Sequence, residues 1–271
     1  MSEFEPIAVV KLSKDIRNMA KVMLPDEARL LVDSYYAMQK MRIQNGNRSF
    51  AMKNEPHEIL KWLTEQSLIL EKQVASALDK FSAAQPMGDW LRSVYGIGPV
   101  ISAGLIAHID IKQCPTVGHI WSFAGLNPEQ TWGKGEKRPY NASLKVLCWK
   151  IGDSFKKFCN AEECVYGKIY KDRKKYEVDR DLTGYNEETC KKTLAKGYNL
   201  KPEQKKCYQS GHLPPGRLDL RASRYATKQF LSDMHYVWYK IEFKKEPPLP
   251  YPVSHLGHAH RRPLPSTERE P

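Results

Sequence analysis

The sequence predicts an all-α fold. Three observations lead there. Apolar residues recur at helical spacing in one segment after another, no long span alternates apolar and polar residues, and prolines and glycines cluster at segment ends. The 271 residues suffice for a real core, with 41% hydrophobic and 10% aromatic residues. Residues 1–85 read as a long helical hairpin, 86–245 as a second helical domain and 246–271 as a proline-rich, extended tail.

The first strong helix opens at Pro25-Asp26-Glu27, with proline early and acids in the first turn. Leu31, Tyr35, Met38 and Met41 follow at helical spacing, and Asn45-Gly46-Asn47 predicts its end. A longer helix runs from near Glu55-Pro56 to about Phe81, with Ile59, Leu63, Leu70, Val74, Leu78 and Phe81 as its stripe. Two such helices pair within one chain or across a homodimer.

After Gln85-Pro86-Met87-Gly88 comes "SVYGIGPVISAGLIAHI". Two glycines and a proline in four residues break an otherwise apolar stretch, which a continuous helix would not tolerate. The segment therefore reads as two helices: Asp89–Tyr95, with Trp90, Leu91 and Val94 inward, then a turn at Gly96-Ile97-Gly98, then a helix with Pro99 as its first residue. Glycines permit a sharp turn and close approach of another molecule, and the free amides opening the second helix suit an anion. This is a helix-hairpin-helix, which grips a nucleic-acid backbone without reading bases. In the alternative reading, Ile97 simply plugs a core gap. The full expectation is thus an N-terminal helical hairpin, a helix-hairpin-helix domain and a C-terminal amphipathic helix.

Residues 114–141 are rich in turn formers, and Leu144 to Phe158 reads as a helix carrying Leu147, Trp149, Ile151 and Phe155. Lys168 to Arg180 is a charged helix, and 181–216 is polar and poorly patterned, predicting an exposed insertion. Leu220 to Phe243 is strongly amphipathic, with Ala222, Ala226, Phe230, Met234, Val237 and Ile241 on one face. Arg217, Arg221, Arg224 and Lys228 stack three or four apart on another. They form either a solvated face or a set of phosphate contacts.

The net charge of +12 points to a polyanionic partner. No stretch reaches the roughly 18 apolar residues that span a bilayer, and "MSEFEPIAVVKLSK" has no signal-peptide core. The expectation is a cytoplasmic protein without membrane contact, its six cysteines (114, 148, 159, 164, 190, 207) reduced. Cys159 and Cys164, with Cys190, Cys207 and His212, lack a standard zinc spacing, and His255, His258 and His260 form a second, weak metal-site candidate that reads better as a solvated tail. No metal or cofactor is expected.

"GIGPVISAGLIAHIDI", "HIWSFAGLNP" and "NASLK" ahead of a helix together resemble the C-terminal domain of a bacterial insertion-sequence transposase family, numbered one-ten, one-sixteen and nine-zero-two. The resemblance is tight over about 90–158 and looser through "RASRYATKQFLSDMHYVWY". Members join this domain through a coiled coil to a RuvC-like domain and recombine DNA under RNA guidance, using a serine nucleophile. The resemblance therefore implies DNA as partner, with RNA as a second.

Two departures stand out. Residues 1–55 are too few for a RuvC-like domain and show no metal-binding carboxylate set, so the chain resembles a stand-alone form of the C-terminal domain. In "GLNPEQTWGKGEKRPYNASLK", Trp132 precedes Gly133 where the family has its serine. Thr131, Tyr140 and Ser143 are the nearby hydroxyls, none with an activating base evident in the sequence. Arg138, Asn141, Leu144 and Lys145 partly match the family's Lys-x-Gly-Asn-x-x-Leu-Arg pattern.

Three functions follow. The first is largely sequence-independent DNA binding without catalysis, through Gly96, Ile97, Gly98, Val100, Lys134, Lys137, Arg138, Asn141, Lys145 and the Arg217, Arg221, Arg224, Lys228 stripe. The second is an active recombinase or transposase, by itself or with a partner subunit. The third is an assembly module that keeps only the fold.

Overall fold

A computed structural model describes residues 10–52 and 57–249. His255, His258, His260 and nearly all of the proline-rich tail lie outside the described residues. The described residues are all-α, with no strand among them. The helices are α1 (Lys14–Met19), α2 (Pro25–Ala51), α3 (Glu58–Ala83), α4 (Gly88–Ser93), α5 (Pro99–His108), α6 (Val117–Phe123), α7 (Ala142–Lys157), α8 (Val165–Leu182), α9 (Glu187–Ala195), α10 (Pro202–Gln209) and α11 (Pro215–Phe243). None is long and apolar enough to cross a membrane.

The chain divides into two compact units, and the division does not follow the expected boundary near residue 85. One unit holds the described residues up to Ser93 together with Ile97–Lys112; the other holds Val94–Gly96 and the described residues from Gln113 onward. The reason is the packing of α5, which lies against both α2 and α3 and buries Val100 and every residue from Ser102 to His108. A helix apolar on all sides needs neighbours on all sides, and the N-terminal pair supplies them.

In this first unit α2 and α3 form the expected hairpin. Leu78, Phe81, Met87, Leu91, Ala103 and Leu105 are fully or almost fully buried. Arg42 on α2 grips Glu71 on α3 with two hydrogen bonds, Nε to Oε1 at 2.6 Å and Nη2 to Oε2 at 3.0 Å. The Glu71 carboxylate is buried, so removing Arg42 would strand a charge in the helix interface, a loss of about 3–5 kcal/mol. Two expectations are corrected. α2 does not stop at Asn45-Gly46-Asn47 but runs to Ala51, since an exposed glycine in a helix costs only about 1 kcal/mol and the turns on either side continue. Of the expected apolar stripes only Leu78 and Phe81, at the end of α3, are deeply buried; on α2 the buried residues are Ala28 and Val32, and Met41, Ile59 and Leu70 are exposed, as is Phe50, by 89%. In the short helix of the hairpin, Leu91 is buried while Trp90 and Val94 are half-buried.

In the second unit α11 is the central element and packs on α6, α7 and α8. Its predicted apolar face is correct, with Ala222, Ala226, Phe230, Met234 and Val237 buried and Ile241 half-buried. Phe155 on α7, Tyr166 on α8 and Phe230 on α11 form a ring cluster with centroids 4.9 to 5.5 Å apart. The Tyr166 hydroxyl donates to Asp233 at 2.9 Å. Asp219 on α11 ties three helices together, accepting hydrogen bonds from Lys156 on α7 and from Tyr170 and Lys174 on α8. Burial alone would raise its pKa, but the three donors together hold it down at about 2.

The segment 181–216, expected as an exposed insertion, carries helices of its own. It folds as α9 and α10 around a small core of Cys190, Tyr208, Leu213 and Leu218, with Leu194 and Leu200 against it. Short helices of nine and eight residues give too few turns for a period to show in sequence. All six cysteines are free thiols. Among the described residues no group of three or more His, Cys, Asp or Glu side chains could hold a metal ion.

Candidate nucleic-acid interface

α4 and α5, which the expected helix-hairpin-helix would comprise, pack on each other and are joined by residues 94–98. Gly96 sits at φ 92°, a left-handed conformation that side chains disfavour, and makes the turn. Its carbonyl accepts from the Ser154 hydroxyl at 2.6 Å, which anchors the bend. Ile97 is only 5% exposed, so its side chain is a plug and not a surface contact. Gly98 is exposed, and a Cβ added there would meet nothing within 4 Å. It is the N-cap of α5, and no side chain caps the helix. The first helical hydrogen bond runs from the Ser102 amide to the Gly98 carbonyl, so the Val100 and Ile101 amides precede it. Open approach and an uncapped helix start are what a phosphate oxygen requires.

The second unit contains a cavity of about 720 Å³. Lys145, Arg173, Arg180, Arg221, Arg224 and Lys228 line it, with Trp132, Tyr140, Tyr185 and Tyr225. Glu177 is the carboxylate on its wall, 2% exposed. It binds Arg173 within α8 at 2.5 Å and Arg221 on α11 at 3.3 Å. Arg221 also donates to the Asn186 side chain at 2.9 Å. Lys145, Arg180, Arg224 and Lys228 have no carboxylate partner among the described residues. Lys228 is half-buried over the Trp121 ring, 4.1 Å from its centroid, and desolvation lowers its pKa. Lys145 lies 4.1 Å from the Tyr140 centroid, and Arg180 lies 3.2 Å from that of Tyr185.

Gly125 explains how part of this wall is built. It has φ 63°, and a Cβ there would come within 2.9 Å of the Tyr140 ring and 3.1 Å of the Lys145 stem. Only glycine lets both side chains lie against the backbone at this bend. Tyr140 in turn meets Trp132 edge to face, with centroids 5.2 Å apart.

The structure separates the residues picked from the sequence. Lys145, Arg221, Arg224 and Lys228 converge on the cavity, and Arg221 is already neutralised there. Arg217 points its guanidinium at the Tyr208 hydroxyl, 3.0 Å away, as a brace for α10. Asn141 caps α7, its side-chain oxygen accepting from the Leu144 amide at 2.9 Å. Lys134, Lys137 and Arg138 stand exposed on the loop before α7. The cavity also lines up Tyr140, while Thr131 and Ser143 are exposed. None of these three hydroxyls is hydrogen-bonded to a histidine, lysine or carboxylate among the described residues.

Sequence reading missed Arg173, Glu177, Arg180, Tyr185 and Tyr225. A signal was present: Arg173, Glu177 and Arg180 lie four and three apart, one face of a helix.

Comparison with protein families gives a match to the family described as Transposase IS116/IS110/IS902 family, at residues 88–138. The match begins with α4, takes in the hairpin, α5 and α6, and ends in the loop bearing Lys134 and Lys137. Comparison with curated proteins and with solved structures gives no match. Across residues 88–138 this chain is similar to the transposase IS116/IS110/IS902 family, and that similarity points to a transposase-related role.

Proposed function

We propose that this protein binds DNA through its phosphate backbone, largely without sequence selection. The observation that carries the reading is the cavity wall, where Lys145, Arg180, Arg224 and Lys228 make no ion pair among the described residues and its one carboxylate, Glu177, is taken up by Arg173 and Arg221. Like charges gathered on one surface repel unless an anion joins them, and a half-buried ammonium such as Lys228 is further penalised by desolvation. A polyphosphate strand removes both costs. The uncapped start of α5 at Gly98 supports the reading separately, as does the loop bearing Lys134, Lys137 and Arg138.

The test is a salt titration of binding to a labelled duplex. Neutralising several phosphates predicts an affinity that falls steeply as salt rises. A flat response defeats the proposal. RNA carries the same backbone charge and belongs in the same panel.

Two further readings have specific support. The family match favours strand transfer with a partner subunit; nicking assays on Thr131, Tyr140 and Ser143 variants address it, and unchanged activity in all three removes a local nucleophile. The exposed apolar residues on α2 and α3 favour self-association through the N-terminal helices, which sedimentation of the free protein measures.

A further inference from the structure

We propose that the cavity of the second unit seats one unpaired nucleotide of a DNA single strand, with its base against Trp132 and its phosphate on Arg224 and Lys228. This rests on the DNA-binding reading above and adds the form of DNA to it.

The first argument is shape. A duplex offers phosphates on a convex surface and hides its base faces in the stack. A concave site of about 720 Å³ is of the size that receives a small ligand, and an intact duplex, resting its phosphates on the cations of the wall, puts no base into it. Only a nucleotide that has left the stack brings its base into such a site.

The second argument is the wall. Trp132 is a large apolar ring in a polar loop, 45% exposed, yet held in place by Tyr140 at its edge. Every base has a π face, so a positioned indole is a stacking platform that tolerates any sequence. Duplex binding makes no use of it.

The third argument is unmet polar demand inside the same cavity. Lys228 is half-buried and has no carboxylate among the described residues, so it is suited to a phosphate. Gln130, also on the wall, donates from its amide nitrogen to the Pro139 carbonyl at 3.4 Å, while its buried Oε1 has no hydrogen-bond partner among the described residues. A buried acceptor without a donor is costly, and the amino and imino groups of a base edge are donors. Cations, an aromatic platform and an idle acceptor in one concavity match the phosphate, the base face and the base edge of a nucleotide, and backbone binding alone accounts only for the first.

The test compares a mixed-sequence single strand with a hairpin duplex of the same length by fluorescence anisotropy at one salt concentration. The strand binds more tightly. Trp132→Ala weakens strand binding by about 5- to 150-fold, the equivalent of 1–3 kcal/mol for one base stack, and leaves duplex binding unchanged. Trp132→Phe recovers most of the loss. Trp132 lies on an exposed loop, and an unchanged melting temperature verifies folding. Equal affinity for both forms, or an equal loss on both with Trp132→Ala, overturns the proposal while leaving backbone binding in place. Tighter binding to a single-stranded RNA of the same sequence overturns the choice of DNA. Binding to neither form overturns this proposal and the function it rests on.

Discussion

Arg224→Ala is the sharpest probe of the cavity's charge. Arg224 is exposed on α11 and lines the cavity, and among the described residues it makes no ion pair, so its removal leaves no buried partner stranded. If Lys145, Arg180, Arg224 and Lys228 each neutralise one duplex phosphate, counterion release gives a slope of log affinity against log salt of about −3.6. Between about 50 and 200 mM salt these four contacts alone then cost roughly 150-fold in affinity. With three cations the slope falls to about −2.7 and the loss to roughly 40-fold. Anisotropy titrations of the two proteins at four or more salt concentrations read this directly. Arg217→Ala is the control, because Arg217 braces Tyr208 instead of facing the cavity; its slope stays at the wild-type value. A slope unchanged by Arg224→Ala, or reduced as much by Arg217→Ala, refutes the assignment of phosphate contacts to the cavity.

Three other outcomes follow from the geometry. Gly98→Asp places a carboxylate at the uncapped N-cap of α5, where it raises stability by a few tenths to about 1 kcal/mol and weakens DNA binding by occupying the amides; melting and anisotropy together check the opposite signs. Gly125→Ala forces an L side chain into φ 63° and against the Tyr140 ring, costing about 1–2 kcal/mol of backbone strain and displacing Lys145, so binding falls along with the melting temperature. Buried His108 and His235 both have pKa values pushed below 6.5 by burial, so the unfolded chain takes up protons first on acidification; stability is full above pH 6.5 and falls below it by up to ~1.4 kcal/mol per pH unit for each histidine, which denaturant titrations between pH 7 and 5 measure.

Much of the fold was legible because helices announce themselves locally. Pro25 with Asp26 and Glu27, Pro99 after Gly98, and Asn141 ahead of Leu144 each mark a helix start by chemistry confined to a few residues. The apolar face of α11 could be traced for the same reason, since long amphipathic helices repeat their period several times. The short α9 and α10 repeat it scarcely at all, and Asn45-Gly46-Asn47 signals a stop that the surrounding turns override. The site was half legible. The glycines of the hairpin and the cations of α11 stand out in the chain, whereas Glu177 and Arg173, on another helix, determine which of those cations are neutralised.

The sequence by itself determined that this chain is helical, basic, punctuated at Gly96-Ile97-Gly98, and similar to a transposase segment, because propensity, charge and motif spacing are properties of neighbours along the chain. Only the tertiary structure decided that α5 packs with the N-terminal helices, that Arg217 and Arg221 are held by Tyr208 and Glu177, and that Lys145, Arg180, Arg224 and Lys228 line one cavity with Trp132 and Tyr140. Electrostatic pairing and enclosure depend on distances between residues far apart in sequence, and folding alone sets those distances.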